Sequence, residues 1–390
     1  MTEAYIVSAV RSAGGRRRGA LKDWHPVDLA AAVIDHVLTE TGIDPATVDD
    51  VVVGCVTQIG EQAFNPARQV ILASNLPDSV PGVTVDRQCG SSQQAIHFAV
   101  QAIMSGATEI MIAAGVESMT RAPMSSAGTL AEEKGLGSPI SPGILAKRPG
   151  FSLNQFRGAE MMGKKYGLTR DDTDHFALKS HQNAIAATQS GKFKTEIVPI
   201  KIVTPEGEAR LHEVDEGIRF DASIESIGSV KLLQEGGIIT AASSSQICDG
   251  ASAVLVVSER VLKASGLKPI ARVHHMSVLG GNPVIMLETP IPATQHALRK
   301  AGMKISDIDL YEVNEAFSTV PLAWVKAVDA DPERLNVHGG AIALGHPMGA
   351  SGAKLAATLI HALRGSGKRY GLQTMCEGGG LANVTIFEAL

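Results

Sequence analysis

Aromatic residues make up only 4% of this 390-residue sequence, with two tryptophans and four tyrosines. That scarcity removes the base-stacking platforms on which single-strand nucleic-acid binders rely. Net charge is −5. The one basic run, Arg16-Arg17-Arg18, is short and adjoins glycines; it reads as a solvated loop, with an anion or interface contact as the alternative. Neither nucleic acid nor an anionic membrane is therefore indicated as a partner. No apolar run approaches the roughly 20 residues that a membrane-spanning helix needs. Cysteine is sparse too: Cys55, Cys89, Cys248 and Cys376 lie far apart, with no C-x-x-C pair. This spacing argues against a disulfide framework or a zinc site. The first residues, Met1-Thr2-Glu3-Ala4-Tyr5, run directly into a strand-like segment without the basic-then-apolar order of a signal peptide. The last four, Phe387-Glu388-Ala389-Leu390, carry no retention or peroxisomal address. The expectation is a cytoplasmic protein with reduced thiols.

What is abundant is glycine, 40 residues, in a chain that is 44% apolar and 19% charged. That balance is ordinary for a globular protein of two or three domains, and the glycines suit many tight strand-to-helix turns. Residues 4–10 read as a strand, 29–41 as a helix capped by Asp28 and stopped by Gly42, and 51–54 as a buried strand. Residues 66–75 read as helix and 107–116 as another apolar strand. Alternating strands and helices predict parallel pairing in a layered α/β fold.

Within this order, Val83-Thr84-Val85 leads to Cys89, followed by Gly90-Ser91-Ser92 and a helix-compatible segment from Gln93 to Met104. A thiol at the start of a helix sits at the positive end of the macrodipole, which lowers its pKa and favours the reactive thiolate. The alternative is a buried structural cysteine.

The same order of elements returns near the C-terminus. Pro269 to Val273 is strand-like, residues 292–301 form a helix ending at Gly302, and 305–314 parallels 44–53. Leu335 to His346 leads into a helix at 350–364, as 83–89 leads into 93–104, and 371–376 matches the strand at 109–115. Cys89 and His346 then stand at the start of equivalent helices, with Cys376 at the end of the following strand. Parallel α/β sheets place ligand sites at such strand ends, so these three residues are expected to converge. Between the halves lies an insertion, roughly 119–248, with loops at 121–150 and 203–217 and one clear helix, 169–190, capped by Thr169.

Three further stretches carry chemistry. Asn314-Glu315-Ala316-Phe317 ends a strand; it either orients a water or a histidine, or caps a helix with a solvated Glu. His346 stands among five glycines and before Pro347, which biases it away from helix; it is a held base or a structural turn residue. Cys376-Glu377-Gly378-Gly379-Gly380 places backbone N–H groups around a thiol, as an oxyanion hole requires; otherwise it is an inert turn. Cys55 and Cys248 read as structural.

Taken together, the Cys89-Gly90-Ser91-Ser92 turn, Asn314-Glu315-Ala316-Phe317, Gly345-His346-Pro347 and Cys376-x-Gly378, in this order, resemble the thiolase family over the whole chain. The resemblance implies an α/β fold of two duplicated βαβα-type halves, layered α/β/α/β/α, with an inserted loop domain. It divides the chain into an N-terminal half (1–118 plus 249–268), a loop domain for CoA and substrate (119–248) and a C-terminal half (269–390). It implies CoA-dependent thiolytic cleavage of 3-ketoacyl-CoA through an acyl-Cys89 intermediate. In it His346 activates Cys89, Cys376 is the second acid–base, and the N–H groups of Cys89 and Gly378 hold the thioester oxyanion. Asn314, through a water, holds the enolate oxygen together with His346. Ser245 matches a pantetheine-contacting serine and Arg219 a CoA-contacting position. CoA and acyl-CoA are the partners, no metal or redox cofactor is needed, and a dimer or tetramer is implied. Asn154-Gln155 stands where many thiolases have a His-Met pair lining the acyl pocket, which points to longer or bulkier acyl chains in degradation. A biosynthetic acetyl-CoA acetyltransferase, a 3-ketoacyl synthase of the same fold class and a silent CoA-binding protein are the competing readings.

Overall fold

The structure is a computed structural model describing residues 3–204 and 206–390. Its frame is one twisted sheet built from nine principal strands: β1 (Ala4–Ser12), β2 (Asp50–Gly54), β3 (Gly82–Val85), β4 (Ile110–Ser118), β5 (Cys248–Ser258), β6 (Ala271–Gly280), β7 (Leu310–Val313), β8 (Tyr370–Glu377) and β9 (Leu381–Ala389). Their spatial order is β7-β8-β9-β6-β1-β5-β4-β2-β3. The order is symmetric about the β1–β6 junction, where Tyr5 and Ile6 pair antiparallel with Arg272 and Ala271. Each half even carries its register shift at the matching place, between Ile6 and Ser8 on β1 and between Val273 and His275 on β6. The partner expected for β3 in the second half is reduced to a single bridge, Tyr311 to Leu335.

Only part of the pairing is parallel. β2 runs parallel to β3 and β4, and β7 parallel to β8. β5 and β9 run antiparallel to their neighbours. The reason for β9 is local: three glycines join it to β8, with Gly379 and Gly380 at φ of 88° and 84°. A short hairpin joins only antiparallel strands, because a parallel return needs a crossover.

Strand alternation then builds the layers. Val51 and Val53 face outward onto helices α1 (Pro26–Thr41) and α2 (Pro66–Ala73). Val52 faces inward, onto α3 (Ser91–Ser105). The helix α1 begins one turn earlier than the sequence suggests. Pro26 opens it, His25 caps it, Asp28 lies in its first turn, and Gly42 closes it in the left-handed conformation. On the far side, Tyr311 and Val313 pack under α6 (Pro290–Ala301) and α7 (Thr319–Val328), while Leu310 faces inward. The middle layer is α3 with α8 (Met348–Ser366), and α8 is buried around its whole circumference for most of its length. The result is the α/β/α/β/α layering.

Small residues decide how closely the two middle helices meet. A Cβ on Gly352 would fall 2.1 Å from Gln93 N, and one on Gly349 would fall 2.6 Å from Val116 O. The first turns of α3 and α8 therefore touch backbone to backbone, which brings the residues just before them, Cys89 and His346, to one end of the sandwich.

The insertion is more ordered than loops. Residues 121–150 contain the short helices Ser126–Glu133 and Pro142–Lys147, and Ile200–Val203 pairs antiparallel with Ala209–His212. Of the stretch 203–217, residue 205 lies outside the described residues. Two longer helices follow one another here, α4 (Gln155–Tyr166) and α5 (Arg170–Gln189). α5 opens with a reciprocal capping box between Thr169 and Asp172. All four cysteines are free thiols, and among the described residues no helix is long and apolar enough to cross a membrane.

Candidate active site

The turn before α3 is held from both sides. Asp86 Oδ1 accepts from Gln88 N at 2.7 Å, and Ser91 Oγ accepts from Arg87 N while donating to Gln88 O. Gln88 is left at a φ of 49°, a left-handed conformation that costs a non-glycine residue on the order of 1 kcal/mol. This presents Cys89, partly exposed, on the wall of a cavity of about 820 Å3. The helix terminus does not make it a thiolate. Burial, then the charge of Glu377, push the thiol up to about 12, against the lowering effect of a backbone N–H. Cys89 is thus a thiol that needs a base, not the thiolate that its place at the start of a helix would suggest by itself.

His346 is that base. It lines the same cavity and is almost fully buried. Burial, then the Lys354 cation, pull its pKa down to about 4, so the ring is neutral at pH 7. Its Nδ1 lies 2.6 Å from Ser351 Oγ. Ser351 donates its one proton to Pro347 O at 2.9 Å, so it accepts from Nδ1–H. That assignment leaves Nε2 as the lone pair, and Nε2 is buried with no hydrogen-bond partner. The loop is fixed from behind by His346 N donating to Gln246 O (3.0 Å) and by Lys354 Nζ donating to Leu344 O (2.5 Å) and Gly345 O (3.2 Å). Cys248 packs under Gly345, where a Cβ would meet its sulfur at 2.6 Å; Cys55 is buried as well.

Behind the Cys89 turn lies the second cysteine. Cys376 is 1% exposed and its thiol is held well above the ordinary range, by burial and then by Cys89 and Glu377. Gly378 sits against the turn itself: a Cβ there would be 2.8 Å from Gln88 Oε1. Asn314 N donates to Thr374 O across the parallel pair β7–β8. Both polar atoms of the Asn314 side chain are buried and unpartnered. Orphaned buried polar groups cost about 1–3 kcal/mol each, and His346 carries one such atom on the cavity wall. Glu315, its neighbour, is not a solvated cap. It is fully buried and accepts from Ser180 Oγ, Asn336 Nδ2 and Ile342 N, which ties the stretch before His346 to the insertion.

Ser245 and Arg219 line the cavity as well. Ser245 N donates to Ala316 O, and Arg219 N donates to His181 Nδ1. So one cavity gathers Cys89, His346, Ser245 and Arg219. Cys376, Gly378 and Asn314 are not among its lining residues; Cys376 and Gly378 lie against the Cys89 turn, and Asn314 follows the end of β7 beside β8.

This arrangement of two thiols, a neutral imidazole and an unpaired amide coincides with a match over nearly the full length. Residues 4–260 match the thiolase N-terminal domain and residues 267–389 the thiolase C-terminal domain. The chain belongs to the thiolase family. It is 53% identical to a steroid 3-ketoacyl-CoA thiolase of Mycobacterium tuberculosis, covering all of this chain and 95% of that relative. A 3-ketoacyl-CoA thiolase of Salmonella typhimurium is 40% identical, with both chains covered completely. Among solved structures, the acetyl-CoA acetyltransferase of Bacillus anthracis superposes with a TM-score of 0.91 at 35% identity, covering 100% of this chain and 99% of that one. Human mitochondrial 3-ketoacyl-CoA thiolase gives 0.89 at 34%, with the same coverage.

Several residues of this thiolase's cavity escaped the sequence. Arg16 and Arg17, read as a solvated loop, line it; no spacing ties position 16 to position 219. Ser351, which orients His346, was findable as a hydroxyl in the first turn after His346-Pro347. Of the pair Asn154-Gln155, only Gln155 reaches the cavity, with its Nε2 3.7 Å from Met124 Sδ. Asn154 instead caps α4 by accepting from Arg157 N.

Proposed function

We propose that this thiolase cleaves 3-ketoacyl-CoA with CoA, through an acyl group carried on Cys89. The observation that carries the reading is the unpartnered Nε2 of buried His346, left as the lone pair by the Nδ1–Ser351 contact, on the wall that also presents the Cys89 thiol. Nε2 takes the Cys89 proton, and the sulfur attacks the 3-keto carbon. The C2–C3 bond then breaks, leaving the acyl group as a thioester on Cys89 and the electron pair on C2 of departing acetyl-CoA. Cys376 gives its proton to C2. CoA enters as a thiol, loses its proton to Cys376, and attacks the thioester, releasing shortened acyl-CoA and the Cys89 thiolate, which takes its proton back from His346. The N–H groups of Cys89 and Gly378 hold the thioester oxygen, and Asn314 through a water, with His346, holds the enolate oxygen. These steps use only thiols, an imidazole, an amide and backbone N–H groups.

Ser245 is assigned to the pantetheine arm, and Arg219, with Arg16 and Arg17 beside it at the same cavity, to the phosphates. For the acyl end we assign bulky or long chains in degradation. Met124, Phe156, Phe317 and Met348 give the cavity apolar walls, and the Mycobacterium relative is named for steroid substrates. A homo-oligomer acting in the cytoplasm completes the proposal.

The test is CoA-dependent release of acetyl-CoA from a panel: acetoacetyl-CoA, medium and long 3-ketoacyl-CoAs and one ring-bearing 3-ketoacyl-CoA. Higher kcat/KM on the bulky members supports the degradative reading. Preference for acetoacetyl-CoA moves the enzyme to two-carbon condensation.

A further inference from the structure

The steps above leave one buried acid beside the two sulfurs unused. Glu377 follows Cys376 on β8, so its side chain points to the opposite sheet face, inward toward the start of α3. It is fully buried. Its Oε1 accepts from Asn383 N at 3.0 Å and occupies the space above Gly90, where a Cβ would fall 1.9 Å from it. Its Oε2 is buried without any hydrogen-bond partner. An acid placed this way serves neither a salt bridge nor a cap.

We propose that Glu377 is a positioning residue of the two-thiol site. Its carboxyl, laid over the bare Cα of Gly90, locks the Cys376–Gly378 turn onto the Cys89 turn and sets how much negative charge the two sulfurs face. The inference rests on Cys89 being the acyl acceptor.

The surroundings agree. Burial raises Glu377 to about 8, opposed by the Arg87 cation and the Asn383 N–H. It is therefore largely a neutral acid at pH 7. After burial, its ionised form is the leading influence that disfavours the Cys89 thiolate, and it acts on Cys376 in the same sense. The charged and titratable groups around it are few. From the nucleophile turn Arg87 faces it; Cys89, on that turn, also feels Glu117, from β4, and Asp86, and the strand of Glu377 itself contributes Cys376. From β9 it meets the uncharged Asn383, and His97, further along α3, is bonded to Thr385. Ionisation of Glu377 above pH 8 adds a negative charge where two thiolates must form in turn.

Glu377→Gln tests this. The amide keeps an oxygen for Asn383 N and cannot ionise. Iodoacetamide alkylation of Cys89, followed by peptide mass from pH 6 to 10, reports the thiolate. The two proteins should react alike at pH 6.5. Above pH 8 the variant should react at least threefold faster than wild type, and its thiolysis should keep its rate at pH 9 where wild type declines. Alkylation curves that superimpose, or that differ by one constant factor at every pH, overturn the proposal, since a purely structural role predicts them. Gly90→Ala, which drives a methyl into the carboxyl, should lose thiolysis at least tenfold and regain part of it when combined with Glu377→Ala; no recovery contradicts the lock. Acyl-Cys89 formation is measured in parallel. Its absence in wild type would refute the nucleophile assignment rather than this inference.

Discussion

His346 Nδ1 lies 2.6 Å from Ser351 Oγ, and that contact decides which imidazole nitrogen is the base. Ser351 spends its proton on Pro347 O, so it fixes the tautomer as well as the ring. Ser351→Ala should lower kcat about tenfold, equivalent to about 1.4 kcal/mol of barrier, with KM little changed. It should also destabilise the fold by about 1–3 kcal/mol, because Nδ1–H is left buried and unpaired. Steady-state kinetics and thermal unfolding read the two effects separately.

The neutral state of His346 ties acid stability to the site. Its folded pKa, about 4, lies below the unfolded value of 6.5. Between these values the unfolded chain binds a proton that the folded one does not. The contribution is complete above pH 6.5, declines as pH falls through the window, and is gone below about 4, amounting to about 3 kcal/mol. Unfolding of wild type and His346→Gln at pH 7.5 and 4.5 checks this: the stability lost between the two pH values should be smaller in the variant.

The backbone contact between α3 and α8 makes Gly352 a lever on the site. Gly352→Ala puts a methyl 2.1 Å from Gln93 N, and overpacking of this kind costs about 1–3 kcal/mol. Because the helices must separate at the ends that carry Cys89 and His346, thiolysis should fall by more than tenfold in protein that is still folded at 25 °C. Circular dichroism establishes the fold and the assay the loss.

The two cysteines should separate by step. Cys376→Ser should abolish exchange of the α-protons of acetyl-CoA with solvent deuterium while Cys89 is still acylated. NMR of acetyl-CoA and intact protein mass follow the two events. Unchanged exchange removes Cys376 from its role.

How much of this was legible in the sequence depended on distance along the chain. The elements flanking Cys89 and the cap at Thr169 were readable because each rests on neighbours within a few residues, and the repeat because such local signals recur in the same order. The antiparallel setting of β5 was not, since an insertion of more than a hundred residues precedes it. Cys89, His346 and Cys376 were expected to converge; Cys89 and His346 line one cavity, and Cys376 is buried outside its lining. At Cys89 the macrodipole is local and visible in the sequence, whereas burial and the neighbouring Glu377, nearly 300 positions away on β8, are not. The same applies to Glu315, which looked like a solvated cap and is instead tied to Ser180 and Asn336. Arg16 and Arg17 reach the cavity only because the turn after β1 folds against the insertion, which no spacing announces.

The most direct test of the account is the mass of the intact protein after mixing with a 3-ketoacyl-CoA. The account predicts an increase equal to the shortened acyl group, located on Cys89 by peptide mapping, and its disappearance when CoA is added, with acyl-CoA formed in equal amount. A protein that turns over without an acyl adduct, or a Cys89→Ala variant that retains full thiolysis, would contradict it.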